Sequence, residues 1–109
     1  MGYTIFPDGK YGEAIEEVYR EVMRAKSMFP TDFHNQHEGY AVILEELDEL
    51  WQEVKKNQRD YDLYEQRKEA IQCAAMCIRF IAELTHGAEK PHSASEGDRY
   101  IGKRIDEIR

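Results

Sequence analysis

The chain has 109 residues, 34% of them charged and 41% apolar, with a formal net charge of −7. This length predicts one domain, and the negative charge argues against nucleic acid as the main partner, because DNA and RNA are bound through basic surfaces. A phosphorylated small molecule is not excluded, since a divalent metal reverses the sign of a site locally.

Neither a signal peptide nor a membrane span is expected. The first residues, MGYTIFPDGKYG, lack a basic stretch followed by an apolar one, and the longest apolar run, residues 70–84, is short and interrupted by charges. Cys73 and Cys77 lie four residues apart on one predicted helix, which is the spacing of core residues and not of a disulfide framework. Free thiols of this kind fit a reducing cytoplasm, where we expect the protein to act.

The first predicted helix covers residues 12–28. Its apolar side chains recur at intervals of three and four residues, which is the period of an amphipathic helix. They are Ile15, Val18, Val22, Ala25 and Phe29. The Phe29-Pro30 pair ends the helix, because the residue before a proline is disfavoured in the helical region.

The second predicted helix covers residues 37–56. Asn35 followed three residues later by Glu38 predicts a capping box, in which the amide oxygen and the carboxylate each accept from a backbone N–H. The apolar stripe consists of Ile43, Leu47, Leu50 and Val54, with Tyr40 and Trp51 along one edge. The short polar break at residues 57–59 predicts that the next helix folds back antiparallel.

The third predicted helix begins at Asp60 or Asp62, where Asp62 is a capping residue, and ends at His86 before Gly87. Its second half is apolar on two sides, one with Cys73, Met76, Cys77, Phe80 and Leu84 and the other with Ile71, Ala74, Ile78 and Ile81. A helix of this kind is buried on both sides. We therefore expect a second copy of the chain to cover it, in a homodimer or homotetramer.

These patterns predict an all-α fold: an antiparallel helical bundle of three main helices plus a short C-terminal helix, completed by oligomerisation and resembling a four-helix bundle. The helical domain is expected at residues 1–87. Residues 88–109 predict a polar linker, followed at residues 98–108 by a short helix or a tail.

Acidic residues crowd into the second helix in two groups. At about 100° per residue, Glu46, Glu49 and Glu53 lie within roughly 60° of one another and border the apolar stripe. Glu45 and Asp48 fall on the far side, where solvent is expected. Only the first group is placed to meet another helix.

Glu69 on the third helix is in register with Cys73 and Met76, in the middle of an apolar face. An ionised carboxylate there is costly unless a cation or strong donors meet it. Arg79 or Lys68 could neutralise Glu69, and the spacing leaves this alternative open.

Antiparallel packing of the second and third helices would bring Glu46 and Glu49 to Glu69 and Gln72. Three carboxylates and an amide oxygen form a hard-oxygen ligand set suited to Mg²⁺ or Mn²⁺. The spacing therefore favours a divalent metal site between these two helices, beside the alternative of an internal ion pair.

Two acidic motifs resemble a known family. They are Glu45-Glu46-x-x-Glu49 and, about twenty residues later, Glu69-x-x-Gln72. Together they resemble the EExxE…ExxD signature of the MazG-like, all-α nucleoside triphosphate pyrophosphatases. The segments HEGYAVILEELDELWQEV and EAIQCAAMCIRFIAEL are similar to the small members encoded in phages and prophages. The resemblance covers residues 34–84.

The resemblance implies Mg²⁺-dependent hydrolysis between the α and β phosphates of a (d)NTP, releasing a nucleoside monophosphate and pyrophosphate. By position, it implies metal ligation by Glu46, Glu49 and Glu69. Gln72 stands where the family has Asp. Because an amide supplies an oxygen but no charge and no base, this departure puts turnover in question while leaving the fold intact.

The remaining roles follow from the implied reaction. Glu49 or Glu53 would accept the proton of the attacking water. Lys55, Lys68 and Arg79 are candidates to meet the β and γ phosphates, although lysines at a helix end also complement its dipole. Trp51 or Tyr40 would stack on the base, and at helical spacing either is also compatible with the core.

Other functions stay open. The chain could be a non-catalytic helical oligomerisation or adaptor protein that keeps the fold, and Gln72 favours that alternative. Glu83 and His86 form one ExxH motif, as in di-iron bundles, which need the motif twice and would require dimer symmetry to supply the second. His34 and His37 flank a helix start and are typical of surface or capping groups.

Overall fold

The structure is a computed structural model that describes residues 5–56, 59–60 and 62–88. These residues form three helices, α1 (Lys10–Met28), α2 (Gln36–Val54) and α3 (Leu63–Leu84), and no strand, which confirms the predicted all-α class. None of these helices is long and apolar enough to cross a membrane. The predicted linker and C-terminal helix, at residues 89–109, and residues 57 and 58 of the predicted break lie outside the described residues.

Side-chain caps fix the starts of α2 and α3. Asn35 Oδ1 accepts from the backbone N–H of Glu38 at 2.9 Å, as predicted. The reciprocal half of the capping box is wrong, because the Glu38 carboxylate accepts from the N–H of His34 and also lies 3.2 Å from the His34 ring. Asp62 Oδ1 caps α3 by accepting from Tyr64 N at 2.9 Å.

The end of α3 comes two residues before the predicted His86. The Thr85 hydroxyl donates to the Ile81 carbonyl at 2.6 Å, and Thr85 itself has left helical geometry. Gly87 follows at φ 90°, a left-handed conformation that glycine adopts without steric cost. The glycine thus sits in the turn after the helix and not directly at its end.

Helix α3 is the central element and packs against both α1 and α2, whereas no Cα atoms of α1 and α2 lie within 8 Å of each other. The start of α2 lies against the end of α3: a Cβ on Gly39 would be 2.8 Å from side-chain atoms of Phe80 and Leu84. Ion pairs between Glu17 and Arg67 and between Lys26 and Glu83 join α1 to α3. Helix α3 therefore runs parallel to α1 and opposite to α2.

Among the described residues, the buried apolar core is small and consists of Val22, Ala25, Phe33, Ala75 and Met76. Partly buried apolar residues surround it, among them Val18, Val42, Ile43, Phe80 and Leu84. The predicted stripes are only partly covered within one chain, since Ile15, Phe29, Leu47 and Val54 are exposed. On the second apolar side of α3, Ile78 is 42% and Ile81 63% exposed.

Candidate metal centre

Three carboxylates converge between α2 and α3. Glu46 and Glu49 lie one turn apart on α2, and Glu69 faces them from α3 because the two helices run in opposite directions. One oxygen from each of the three side chains lies within 4.8 Å of the others. Glu46 and Glu69 are half-buried, whereas Glu49 is exposed at the edge of the cluster. We call these three residues the carboxylate cluster.

Within the part of the chain that the structure describes, no cation forms an ion pair with the carboxylate cluster. Glu46 Oε2 and Glu69 Oε1 are buried and have no hydrogen-bond partner among the described residues. Burial raises the pKa of both carboxyls, and the neighbouring charge of Glu49 raises the pKa of each further. Unpartnered buried oxygens of this kind are costly unless a ligand satisfies them.

The two cations considered as partners of Glu69 lie elsewhere. Arg79 donates to Glu83 on its own helix, at 2.8 Å. The Lys68 ammonium is 3.9 Å from Glu65, and its charge lowers the pKa of Glu69 by less than burial and Glu49 raise it. Neither side chain forms an ion pair with Glu69, so internal neutralisation is not what the structure shows.

Gln72, the fourth predicted ligand, lies beside the carboxylate cluster. It lines a cavity of about 440 Å³ together with Glu46, Met76 and Arg79. Glu53, the alternative base, is not one of the three converging acids, and both of its oxygens accept from Lys56 Nζ, at 2.9 and 3.1 Å.

The predicted substrate contacts are scattered. Of Lys55, Lys68, Arg79 and Trp51, only Arg79 lines the cavity beside Glu46. Lys55 is exposed, and Lys68 lies beside Glu65. The aromatic residues Trp51 and Tyr40 are 55% and 62% exposed, respectively. The alternative that both aromatic residues belong to the core of this chain is therefore wrong.

Sequence reasoning missed the other wall of the cavity. It comes from α1, through Glu21 and Arg24, and from residues 31–34 of the α1–α2 loop, which include the buried Phe33. Glu21 lies on the edge of α1 and adds to the raised pKa of Glu46. Glu21 lies one turn after Val18 and next to Val22 in the sequence, and this position beside the apolar stripe of α1 could have indicated that it faces the cavity.

The thiols and the ExxH motif have ordinary surroundings. Cys73 and Cys77 are free and half-buried, and burial raises the pKa of Cys73. In the ExxH motif, Glu83 already has three partners, the Phe33 N–H, Arg79 and Lys26, and His86 is exposed.

Comparisons of the chain with protein-family models, with curated protein sequences and with solved structures returned no match. The resemblance carried by the two acidic motifs therefore remains an expectation, and the functional argument rests on the geometry of the carboxylate cluster.

Proposed function

We propose that the protein is a MazG-like, metal-dependent nucleoside triphosphate pyrophosphohydrolase of the small phage type, which acts in the cytoplasm and cleaves (d)NTPs to (d)NMPs and pyrophosphate. The observation that carries the proposal is the convergence of Glu46, Glu49 and Glu69, with two buried carboxylate oxygens left unpartnered. A purely structural helix interface would gain stability from an apolar residue in place of Glu69.

A divalent metal fits this set of donors. Carboxylate oxygens are the ligands that Mg²⁺ and Mn²⁺ prefer, and Gln72 could add an amide oxygen to those of Glu46, Glu49 and Glu69. When bound, the metal supplies charge neutralisation for the triphosphate and lowers the pKa of a water. The two unpartnered oxygens, Glu46 Oε2 and Glu69 Oε1, support the proposal because a bound ion would satisfy acceptors to which no described residue donates.

The chain's own residues perform the remaining tasks. Glu49, at the exposed edge of the carboxylate cluster, is the favoured proton acceptor, because the Glu53 carboxylate is already held by Lys56. Lys55 and Lys68 are exposed cations available to the β and γ phosphates. Trp51 offers an exposed ring on which a base could stack.

The test is a panel of NTPs and dNTPs with Mg²⁺ or Mn²⁺, in which pyrophosphate and nucleoside monophosphate are measured separately. Glu49→Ala and Glu69→Ala should each reduce the rate more than about 100-fold, since even outer-shell partners of metal ligands are worth 10- to 100-fold. Asp48→Ala, an exposed acid on the far side of α2, is the matched control and should keep the rate. Orthophosphate as the first product, or equal rates in all three variants, would refute the proposal.

A second candidate function is a non-catalytic helical oligomerisation or adaptor protein with the same fold. Gln72 favours it, because an amide brings no charge to the position that the family fills with Asp. Under this alternative, the wild-type chain shows no turnover and no thermal stabilisation by millimolar Mn²⁺. A metal-dependent shift in melting temperature that Glu69→Ala abolishes would reject it.

We also propose that a second copy completes the antiparallel bundle, as a homodimer or homotetramer. The exposed apolar residues Leu63, Ile78 and Ile81 on α3 form a side that one chain leaves uncovered. Sedimentation equilibrium should give a dimer or tetramer, and Ile78→Glu with Ile81→Lys should shift it to monomer. A wild-type monomer at micromolar concentration would contradict the proposal.

A further inference from the structure

A buried ion pair lies at the end of α3 far from the carboxylate cluster. The side chains of Arg79 and Glu83 are 7% and 8% exposed. Arg79 Nε donates to Glu83 Oε2 at 2.8 Å, and Arg79 Nη2 donates to Glu83 Oε1 at 3.2 Å. Bidentate geometry of this kind fixes both side chains.

The same pair binds the α1–α2 loop. The backbone N–H of Phe33 donates to Glu83 Oε1 at 2.9 Å, and Arg79 Nη2 donates to the Thr31 carbonyl at 3.2 Å. The guanidinium carbon also lies 4.4 Å from the centre of the Phe33 ring. Two loop residues are thus held by side chains from a helix about 50 residues away along the chain.

Lys26 extends the network to α1. Its ammonium lies 3.2 Å from Glu83 Oε2 and 2.7 Å from Asp32 Oδ1, and it donates to the Pro30 carbonyl at 3.1 Å. The end of α1, the loop and the end of α3 are therefore joined around one carboxylate.

The loop held in this way is a wall of the cavity beside Glu46. Residues 31–34 line the cavity together with Glu46 and Gln72, so a shift of the loop changes its shape. Glu83 itself does not line the cavity, and its backbone lies roughly 21 Å along α3 from Glu69, at 1.5 Å per residue.

We infer that Glu83, through its pairing with Arg79, is a positioning residue that holds residues 31–34 of the α1–α2 loop and thereby sets the shape of the cavity beside Glu46, into which we place part of the nucleotide bound at the carboxylate cluster. This inference rests on the proposed function for the identity of the ligand. It assigns the Arg79 guanidinium chiefly to the loop, because its Nε and Nη2 are already bonded to Glu83 and Thr31.

The experiment compares Glu83→Gln with the wild-type chain by amide hydrogen exchange and by steady-state kinetics. Exchange at the Phe33 N–H, which donates to Glu83, should become at least about 10-fold faster relative to Met76, whose amide reports opening of the core. KM should rise about 10-fold while kcat changes less than about 3-fold, because the carboxylate cluster is untouched. Mn²⁺ affinity should stay the same.

Two further variants control this test. Glu17→Gln breaks an exposed α1–α3 ion pair with Arg67 and should change neither exchange at Phe33 nor KM. Lys26→Met removes the Lys26 contacts to Pro30, Asp32 and Glu83 while keeping the Arg79–Glu83 pair, and should move exchange and KM in the same direction by less. It decides the question if Glu83→Gln does not fold.

Unchanged exchange at Phe33 would overturn the inference, as would a parallel loss of kcat and Mn²⁺ affinity, which indicates general loosening. If the wild-type chain turns over no nucleotide, the proposed function fails. The exchange measurement then still decides by itself whether Glu83 fixes the loop.

Discussion

Glu69 and Glu83 lie on the same side of α3, the first half-buried and the second with its side chain 8% exposed, yet their surroundings differ. Burial raises the pKa of Glu69, and the charge of Glu49 raises it further. Burial alone would also raise the pKa of Glu83, but hydrogen bonds from Arg79, the Phe33 N–H and Lys26 outweigh it and lower the pKa to about 2. The chain's own donors and cations thus stabilise the charged form of Glu83, whereas the charged form of Glu69 is left without such partners.

The two acids therefore make opposite contributions to stability. A carboxyl with a lowered pKa in the folded state stabilises the fold above its unfolded pKa, and this contribution is lost as the pH falls. A carboxyl with a raised pKa, such as Glu46 or Glu69, destabilises the metal-free fold increasingly as the pH rises through its folded pKa. The chain's own cations thus lower the pKa of the acid at one end of α3, and the cation that we propose for the other end would have to come from outside the chain.

The largest expected effect comes from removing the charge of Glu83, the acid that Arg79 and Lys26 neutralise at the C-terminal end of α3. We call this the compensated end of α3, and the end with Glu69 the uncompensated end. Glu83→Gln should lower the free energy of unfolding by about 3 kcal/mol at pH 7, because removal of the carboxylate leaves the buried charge of Arg79 without its partner. Urea denaturation measures this loss. Glu17→Gln, which breaks an exposed pair, should change the free energy by less than about 1 kcal/mol. Equal losses in the two variants would show that burial of the Glu83 network contributes nothing.

Lowering the pH should abolish the difference in stability between the wild-type chain and Glu83→Gln. The pKa of Glu83 falls from an ordinary 4.5 to about 2 on folding, so its stabilising contribution is complete above pH 4.5 and decreases as the pH falls towards 2. The stability gap between the wild-type chain and Glu83→Gln should close across this interval in urea titrations. A gap that is constant from pH 6 to pH 2.5 would mean that the Glu83 charge is not its source.

A divalent metal should supply to the carboxylate cluster the positive charge that Arg79 and Lys26 supply to Glu83. Free Mn²⁺ at about 100 times its dissociation constant should stabilise the wild-type chain by roughly 2.7 kcal/mol, measured as a rise in melting temperature. Glu46→Gln and Glu69→Gln should lose most of this rise, whereas Asp48→Asn should keep it. A rise of the same size in all variants would place the metal elsewhere.

Without metal, Glu69→Gln should stabilise the chain, the opposite sign to Glu83→Gln. The neutral side chain removes a like charge beside Glu46 and Glu49, and its amide N–H groups can donate to their carboxylates. We expect a gain of about 1 kcal/mol, which raises the melting temperature by roughly 4–8 °C in a domain of this size. A lower melting temperature in chelator would mean that Glu69 is already compensated.

The uncompensated end could be anticipated from the sequence, because its ingredients are local. The 3.6-residue period places Glu46 and Glu49 beside the apolar stripe of α2, and Glu69 falls within an apolar face of α3. Given an antiparallel pair of helices, these three acids were expected to approach one another, and they do. The caps at Asn35 and Asp62 were predicted for the same local reason.

The compensated end could not be anticipated. Arg79 and Glu83 at i and i+4 look like an ordinary pair on a helix surface, and the partners that bury them are the backbone groups of Thr31 and Phe33, nearly 50 residues away. Backbone donors and acceptors are the same in every residue except proline, so the sequence does not indicate which of them will bind a side chain. Phe33 in turn lies in a polar loop without periodicity, so its burial had no local signal.

Gln72→Asp should have the smallest effect on stability and tests whether the motif was placed correctly. A fourth carboxylate beside Glu46 adds repulsion, so the metal-free chain should lose about 0.5–1 kcal/mol, while Mn²⁺ affinity rises and pyrophosphate release is kept or increased. Gln52→Asp makes the same chemical change on the exposed side of α2 and therefore measures the cost of Asp in a helix alone. If Gln72→Asp collapses activity while Gln52→Asp does not, the amide of Gln72 performs a task that a carboxylate cannot, and its assignment to the metal-ligand position is wrong.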